Sequence, residues 1–162
     1  MQTIILFLAA LSTGLMAGIF FTWTNAVTPG IGKLNDIEYL NALQSMNRVI
    51  LNPAFYLVFF GAVLLIPLSA ALNFRSDSNT IFWLLITSAV IYWIGSFFVT
   101  VFGNIPLNNL LDKTNLNVIS PEDAKNLRNS IETKWNNFNL IRTITSAISF
   151  MILIISGLIL NK

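Results

Sequence analysis

Apolar residues in this chain gather in four long runs, about Ile4–Thr24, Ala54–Leu72, Ile81–Phe102 and Leu140–Leu160. An α-helix of about 20 residues spans ~30 Å, the thickness of a bilayer's hydrocarbon core, so each run predicts a transmembrane helix. A short turn, Asn73–Asn79, joins the second run to the third, and the other two connections are long. Each long connection carries a helical pattern of its own. Over Asp36–Asn52, Ile37, Leu40, Leu43, Asn47 and Ile50 recur at helical spacing; Asn35 suits the N-cap and Glu38 stands where a capping-box partner belongs. Pro53 then either kinks the chain or opens the second span. The second pattern starts at Ser120-Pro121-Glu122-Asp123, with Ala124, Leu127, Ile131, Trp135 and Phe138 as its apolar stripe. No Gly or Pro divides it from the fourth span. It predicts one long helix, about 121–160, that projects out of the membrane.

The polar positions inside the apolar runs matter most. Arg142 is the only charge in the fourth run, and a cation at that depth is costly without a partner, water or a task. Trp135, Asn139, Arg142, Ser146 and Ser149 fall on one narrow arc of that helix, while its other faces carry Ile, Leu, Phe and Met. The arc should face a cavity or another helix. Ser88, Tyr92, Ser96, Thr100 and Asn104 recur every four residues down the third run, as interhelical hydrogen bonding would require. Asn104-Ile-Pro-Leu-Asn108 follows, where Pro106 frees a carbonyl. Its two amides either bind a ligand's oxygens or cap the helix end. The Arg142 guanidinium is expected to point inward, onto Asn104, Asn108 or that freed carbonyl. Arg48 and Arg142 have the alternative of snorkelling to headgroups, and Trp135 that of the interfacial aromatic belt. Gly14-Leu-Met-Ala-Gly18 permits close helix approach, and Asn25 follows on the same face at a depth suited to a site.

Composition narrows the chemistry. The 162 residues are 55% hydrophobic and only 10% charged, against about a quarter charged in soluble domains; the chain is an integral membrane protein with a single domain over 1–162. It contains no Cys and no His, which removes thiol–disulfide chemistry, His-ligated haem, zinc sites and His general bases. No Asp or Glu lies inside a span to hold a metal, so no cofactor is expected. A net charge of +2 is too small to argue for nucleic acid. Met1-Gln2-Thr3 supplies no basic region and the following run is too long for a signal peptide, so the first span is expected to be retained.

The two halves share an order: span, Asn and Pro, capped amphipathic helix, Asn and Arg, span. The first half has Asn25, Pro29, Asn47 and Arg48; the second has Asn104, Pro106, Asn139 and Arg142. A repeat of this kind pairs two hairpins about an axis along the membrane normal and brings both arginines to one mouth of the bundle.

Taken together, these residues resemble the anthrone-oxygenase-like family of small four-span membrane proteins. The likeness rests on the small-residue first span running into Phe20-Phe21 and Pro29, Met46-Asn47-Arg48 before the second span, Gly103-Asn104-Ile105-Pro106-Leu107-Asn108, and Trp135-x3-Asn139-x2-Arg142. Family members in fungal polyketide pathways oxidise anthrones to anthraquinones with O₂ and no cofactor. The resemblance implies a membrane pocket for a flat apolar, polyketide- or quinone-like molecule. Arg142 and Arg48 would stabilise an oxyanion. Asn104 and Asn108 would donate to a carbonyl, Trp135 would stack, and Asn139, Asn47 and Asn25 would complete the binding set. The base is open among Asp112, Glu132 and a water.

The expected fold is therefore all-α, a transmembrane four-helix up-down-up-down bundle with both amphipathic segments on one side, in a bacterial inner membrane. Expected partners are the lipid bilayer, a small aromatic ligand and O₂, with a homo-oligomer left open. The rival reading is a non-enzymatic accessory subunit or a lipid- or quinone-binding module, which an exposed Gly14/Gly18 face would favour; a catalyst instead needs a closed pocket where both arginines converge. The side with the termini and the short turn holds Arg75 and Lys162 and the other side holds the remaining basic residues, which puts the long connections in the cytoplasm.

Overall fold

A computed structural model describes residues 1–74 and 79–160. Arg75 and Lys162, used above for orientation, and most of the predicted short turn lie outside the described residues. Among those described, five helices account for the architecture: α1 (Gln2–Ile31), α2 (Asp36–Val49), α3 (Pro53–Leu72), α4 (Asn79–Asp112) and α5 (Pro121–Leu160). α1, α3, α4 and α5 are each long and apolar enough to cross a membrane. They form a four-helix bundle in which α1 and α4 each pack against both α3 and α5.

The helix boundaries follow from local chemistry. The Asn35 side chain accepts a hydrogen bond from the Glu38 amide at the start of α2. Asn52, expected in the last turn of that helix, instead caps α3 by accepting from the Phe55 amide, and Pro53 takes the first helical position. Pro53 thus opens the second span. α5 is one unbroken helix of 40 residues, ~60 Å long. Ser120 caps it through the Asp123 amide.

α1 and α4 run farther than their apolar residues alone foretell. Neither Pro29 nor Pro106 ends its helix. Wide π-turns precede each: Trp23–Val27 before Pro29, and Trp93–Phe98 and Thr100–Asn104 before Pro106. A proline ring collides with the carbonyl four residues back and offers no N–H, and a widened turn relieves both problems. Asn104-x-Pro-x-Asn108 therefore lies inside a continuing helix and is no C-cap. The same device at both sites gives the two halves a shared form.

Where the helices touch, small residues and hydroxyls carry the contact. A Cβ on Gly95 would stand 2.2 Å from Cγ2 of Thr145, so α4 and α5 meet there at the backbone. The α4 stripe faces α5 as expected: Ser88 and Ser149 share a 2.8 Å hydroxyl contact, each hydroxyl also lies 3.1 Å from the other residue's carbonyl oxygen, and Ser96 meets Thr145 at 3.1 Å. Gly14 packs inward, 2.9 Å from the Phe150 ring for an added Cβ, whereas Gly18 faces open space. The pair does not form one exposed small-residue face.

α2, the end of α4 and the first half of α5 form a second core outside the apolar spans, with Tyr39, Leu40, Leu43, Leu111, Ala124, Ile131 and Trp135 buried. Both amphipathic segments are on one side. Arg128 binds this cap together. It pairs with Glu132 at 2.7 Å and Asp36 at 3.1 Å, donates to the Gly32 and Leu34 carbonyls, and lies 4.4 Å from the centre of the Tyr39 ring. The Tyr39 hydroxyl is buried without a partner. Burial, reinforced by Glu132, holds its pKa above the usual tyrosine value.

Candidate functional site

Between the cap and the spans lies a cavity of about 490 Å³, inside the ~300–1,000 Å³ range of small-molecule sites. Eight aromatic side chains line it: Phe20 and Trp23 from α1, Phe55, Tyr56, Phe59 and Phe60 from α3, Phe97 from α4 and Trp135 from α5. Phe59 stacks on Phe55 at 5.6 Å and meets Phe97 at 6.0 Å; Trp23 and Trp135 lie 5.0 Å apart.

One polar ladder descends this cavity along α4, in steps of one turn. At the water-side mouth, Asp112 pairs with Arg48 at 2.5 Å, and both are more than half exposed. A turn deeper, the Asn108 Oδ1 accepts from Trp135 Nε1 at 2.8 Å and from Asn47 Nδ2 at 3.1 Å. Next, Asn104 donates to the Trp135 carbonyl at 3.4 Å, while its own Oδ1 is buried without a partner. Lowest is Thr100, whose hydroxyl accepts from Arg142 Nη1 at 3.3 Å.

Arg142 forms the floor and is 6% exposed. Its guanidinium lies 4.4 Å from the centre of Phe20 and 5.5 Å from that of Trp135. Nη2 donates to Asn139 Oδ1 at 2.7 Å, and Nε is buried with no hydrogen-bond partner. The expected inward orientation holds, but the partners differ from Asn104, Asn108 and the carbonyl freed by Pro106. Helix α4 continues past Pro106, which sets Asn104 and Asn108 beside Trp135, one and two turns above the guanidinium. No salt bridge reaches Arg142 among the described residues. Desolvating a cation costs several kcal/mol. Two ring faces return ~2 kcal/mol or more when water is excluded, and two hydrogen bonds to neutral groups add modestly. The floor is thus a cation with an unused donor and no counter-charge.

Asn139 is fully buried and lines no part of the cavity. Its Nδ2 donates to the Phe20 carbonyl at 3.0 Å and to Thr24 Oγ1 at 2.7 Å, and its Oδ1 takes Arg142. It fixes the arginine to the π-turn of α1 and does not face a ligand. Thr24, which no sequence pattern marks, completes the network by meeting Thr143 at 2.9 Å. Asn25 is exposed and outside the cavity, because the wide turn at Trp23–Val27 rotates Trp23 and Thr24 inward instead. Glu132 is held by Arg128 in the cap and is not a cavity residue. Among the described residues, Asp112 is the sole carboxylate on the cavity wall. Among the described residues, no three His, Cys, Asp or Glu gather where they could hold a metal.

A bundle of four helices, each long and apolar enough to cross a bilayer, is that of a multi-pass membrane protein. Residues 53–152 match the family model of anthrone oxygenases, and the chain belongs to that family. The matched stretch takes in α3, α4 and most of α5, hence Trp135, Arg142 and the whole α4 ladder; Phe20, Trp23, Asn47 and Arg48 lie outside it. No curated protein and no solved structure matches the chain.

Proposed function

We propose that this protein is a cofactor-independent oxygenase of the anthrone type, acting on a flat, largely apolar ketone within the membrane. The observation that carries the reading is Arg142: a buried cation without a carboxylate partner, flanked by Phe20 and Trp135 in a cavity of molecular size. An anthrone's carbonyl oxygen becomes an enolate oxygen when its methylene loses a proton. A preorganised guanidinium stabilises that charge where water is excluded. The enolate carbon then attacks O₂ and forms a C–O bond. Loss of the second methylene hydrogen with O–O cleavage leaves the new carbonyl and one water, so one O₂ is reduced for each quinone formed.

The base follows from distance. Asp112 stands twelve residues from Thr100 on α4, ~18 Å along the axis, too far to serve a ring whose carbonyl rests on Arg142. A water entering past Asn108 and Asn104 takes the proton, and the Arg48–Asp112 pair passes it to solvent. The α-helical spans suit an inner membrane, since bacterial outer membranes are crossed by β-barrels.

The test is oxygen uptake by the purified chain in detergent with emodin anthrone, expected at one O₂ per anthraquinone and above the buffer rate, unchanged by chelator. One observation favours a second reading, a quinone-binding module without turnover: no carboxylate lies beside Arg142. Quenching of Trp23 and Trp135 by an anthraquinone without oxygen uptake from any anthrone would select it.

A further inference from the structure

The cavity has two openings of opposite character. At the water-side mouth, the Arg48–Asp112 pair and Gln44 also line a second, polar cavity of about 310 Å³ formed with Asn41 and 113–117. The other opening is lateral. α3 packs against the Asn79–Tyr92 stretch of α4 but parts from it beyond the π-turns that begin at Trp93. The Trp93 indole donates to the Val63 carbonyl at 3.0 Å, and the Phe59–Phe97 ring contact one turn farther along α4 marks the lower end of the gap. Above it, Phe60 (46% exposed), Tyr56 (41%), Ile105 (41%) and Leu51 (59%) border the cavity and also reach the outside of the bundle. Phe60 lies seven residues into the span that starts at Pro53, ~10 Å along its axis, which is hydrocarbon depth. The rim carries no charged residue.

We propose that the gap between α3 and α4 is a lateral portal through which a membrane-dissolved aromatic molecule enters the cavity from the lipid phase, while the mouth at Arg48 and Asp112 serves water and protons. The inference rests on the reading of the cavity as a site for a flat apolar ligand, but not on turnover. An apolar ligand partitions into the bilayer, so its local concentration there exceeds that in water. It then meets an apolar rim directly and need not cross an ion pair. The π-turns of α4 supply the geometry, because they redirect the helix away from α3 where the opening starts.

The chain has no cysteine, so single cysteines report cleanly. In a Trp83→Phe, Trp93→Phe background, the remaining tryptophans are Trp23 and Trp135, both on the cavity wall. The protein is reconstituted in quinone-free phosphatidylcholine vesicles, and the rate of tryptophan quenching is followed after mixing with protein-free vesicles loaded with anthraquinone. A bulky, non-absorbing maleimide on Phe60→Cys or Ile105→Cys should slow quenching about tenfold, and the same label on Lys113→Cys, in the polar cavity at the water-side mouth, should leave it near the unlabelled rate. Water-soluble anthraquinone-2-sulfonate should quench poorly in every variant. A slow-down from the Lys113→Cys label with none from the rim labels would overturn the portal, as would an absence of quenching by bilayer anthraquinone. Quenching that is blocked at the rim without oxygen uptake from anthrones would keep the portal and discard the oxygenase.

Discussion

Asn139 Oδ1 accepts from Arg142 Nη2 at 2.7 Å across one turn of α5, while the same amide's nitrogen is spent on Phe20 and Thr24 of α1. One side chain thus sets where the cation points and fastens it to the opposite wall.

Arg142→Leu should separate stability from activity. Replacing an unpaired buried cation by an apolar residue removes its desolvation cost, worth ~1–4 kcal/mol in comparable buried pairs, against ~1–3 kcal/mol for the Asn139 Oδ1 left without a partner and about 1 kcal/mol for the hydrogen bond lost at Thr100. The melting temperature in detergent should hold or rise. Anthrone oxidation should fall by ~10²-fold, the usual cost of one oxyanion donor. A fall in melting temperature of more than a few degrees, at unchanged rate, would show a structural arginine instead.

Asn139→Leu should do the reverse in part. It leaves the guanidinium Nη2 without its acceptor in a dry interior, at ~1–3 kcal/mol, and cuts the tie to α1, where the Thr24 hydroxyl and the Phe20 carbonyl keep only Thr143 and the Trp23 amide. Thermal unfolding should shift down clearly, and the residual rate should drop through kcat more than through KM, because the misdirected arginine acts on the developing charge.

Asp112→Asn tests the proton route. If water takes the proton and Asp112 only relays it, the rate should fall less than about tenfold, below the 10²- to 10⁴-fold typical of a direct general base. A loss near 10³-fold would return Asp112 to the role of base.

Gly95→Ala tests the closest helix contact. Its Cβ would collide with Thr145, and overpacking of a tight interior costs ~1–3 kcal/mol. The double variant Gly95→Ala, Thr145→Gly should recover part of the lost melting temperature. Equal stability of the single variant and the parent would show that α4 and α5 yield there.

Tyr39 gives a pH dependence in the cap. Burial favours its neutral form, so its folded pKa lies above the ordinary 10.0. Below pH ~10 both folded and unfolded chains hold the proton and nothing changes. Above it the unfolded chain ionises first, and stability falls as pH rises toward the folded pKa. Tyr39→Phe gives up no hydrogen bond, since the hydroxyl has no partner, and should flatten the alkaline decline in melting temperature. An identical decline in both proteins would place its origin elsewhere.

The four spans, the 40-residue α5 and its inward polar arc were legible because hydrophobic run length and 3.6-residue periodicity are local properties of the sequence. Trp135, Asn104, Asn108, Asn47, Arg48 and Arg142 all border the cavity, as the sequence grouping suggested. Asn25 and Asn139 show the limit. A wide π-turn adds a residue's worth of rotation that ideal helical spacing does not foresee, so Thr24 replaced Asn25 on the inner face. Asn139 shares the arc of Arg142, but an arc gives direction and not depth; the α1 backbone lay close enough to claim its amide. Pro106 read as a stop because proline usually ends a helix, and the π-turns before it were visible in no residue pattern. The aromatic walls from α1 and α3 were illegible too, because their Phe residues look the same whether they meet lipid or a cavity.

No glycine or proline interrupts α5 between Glu122 and Ser156, and that continuity has a mechanical consequence. Arg128, clamped to the cap, and Arg142, on the cavity floor, are fourteen residues apart, ~21 Å along one stiff rod. Any tilt imposed on the cap in water is delivered to the guanidinium in the membrane with no joint to absorb it. The floor charge behaves as the short arm of a lever whose long arm stands outside the bilayer.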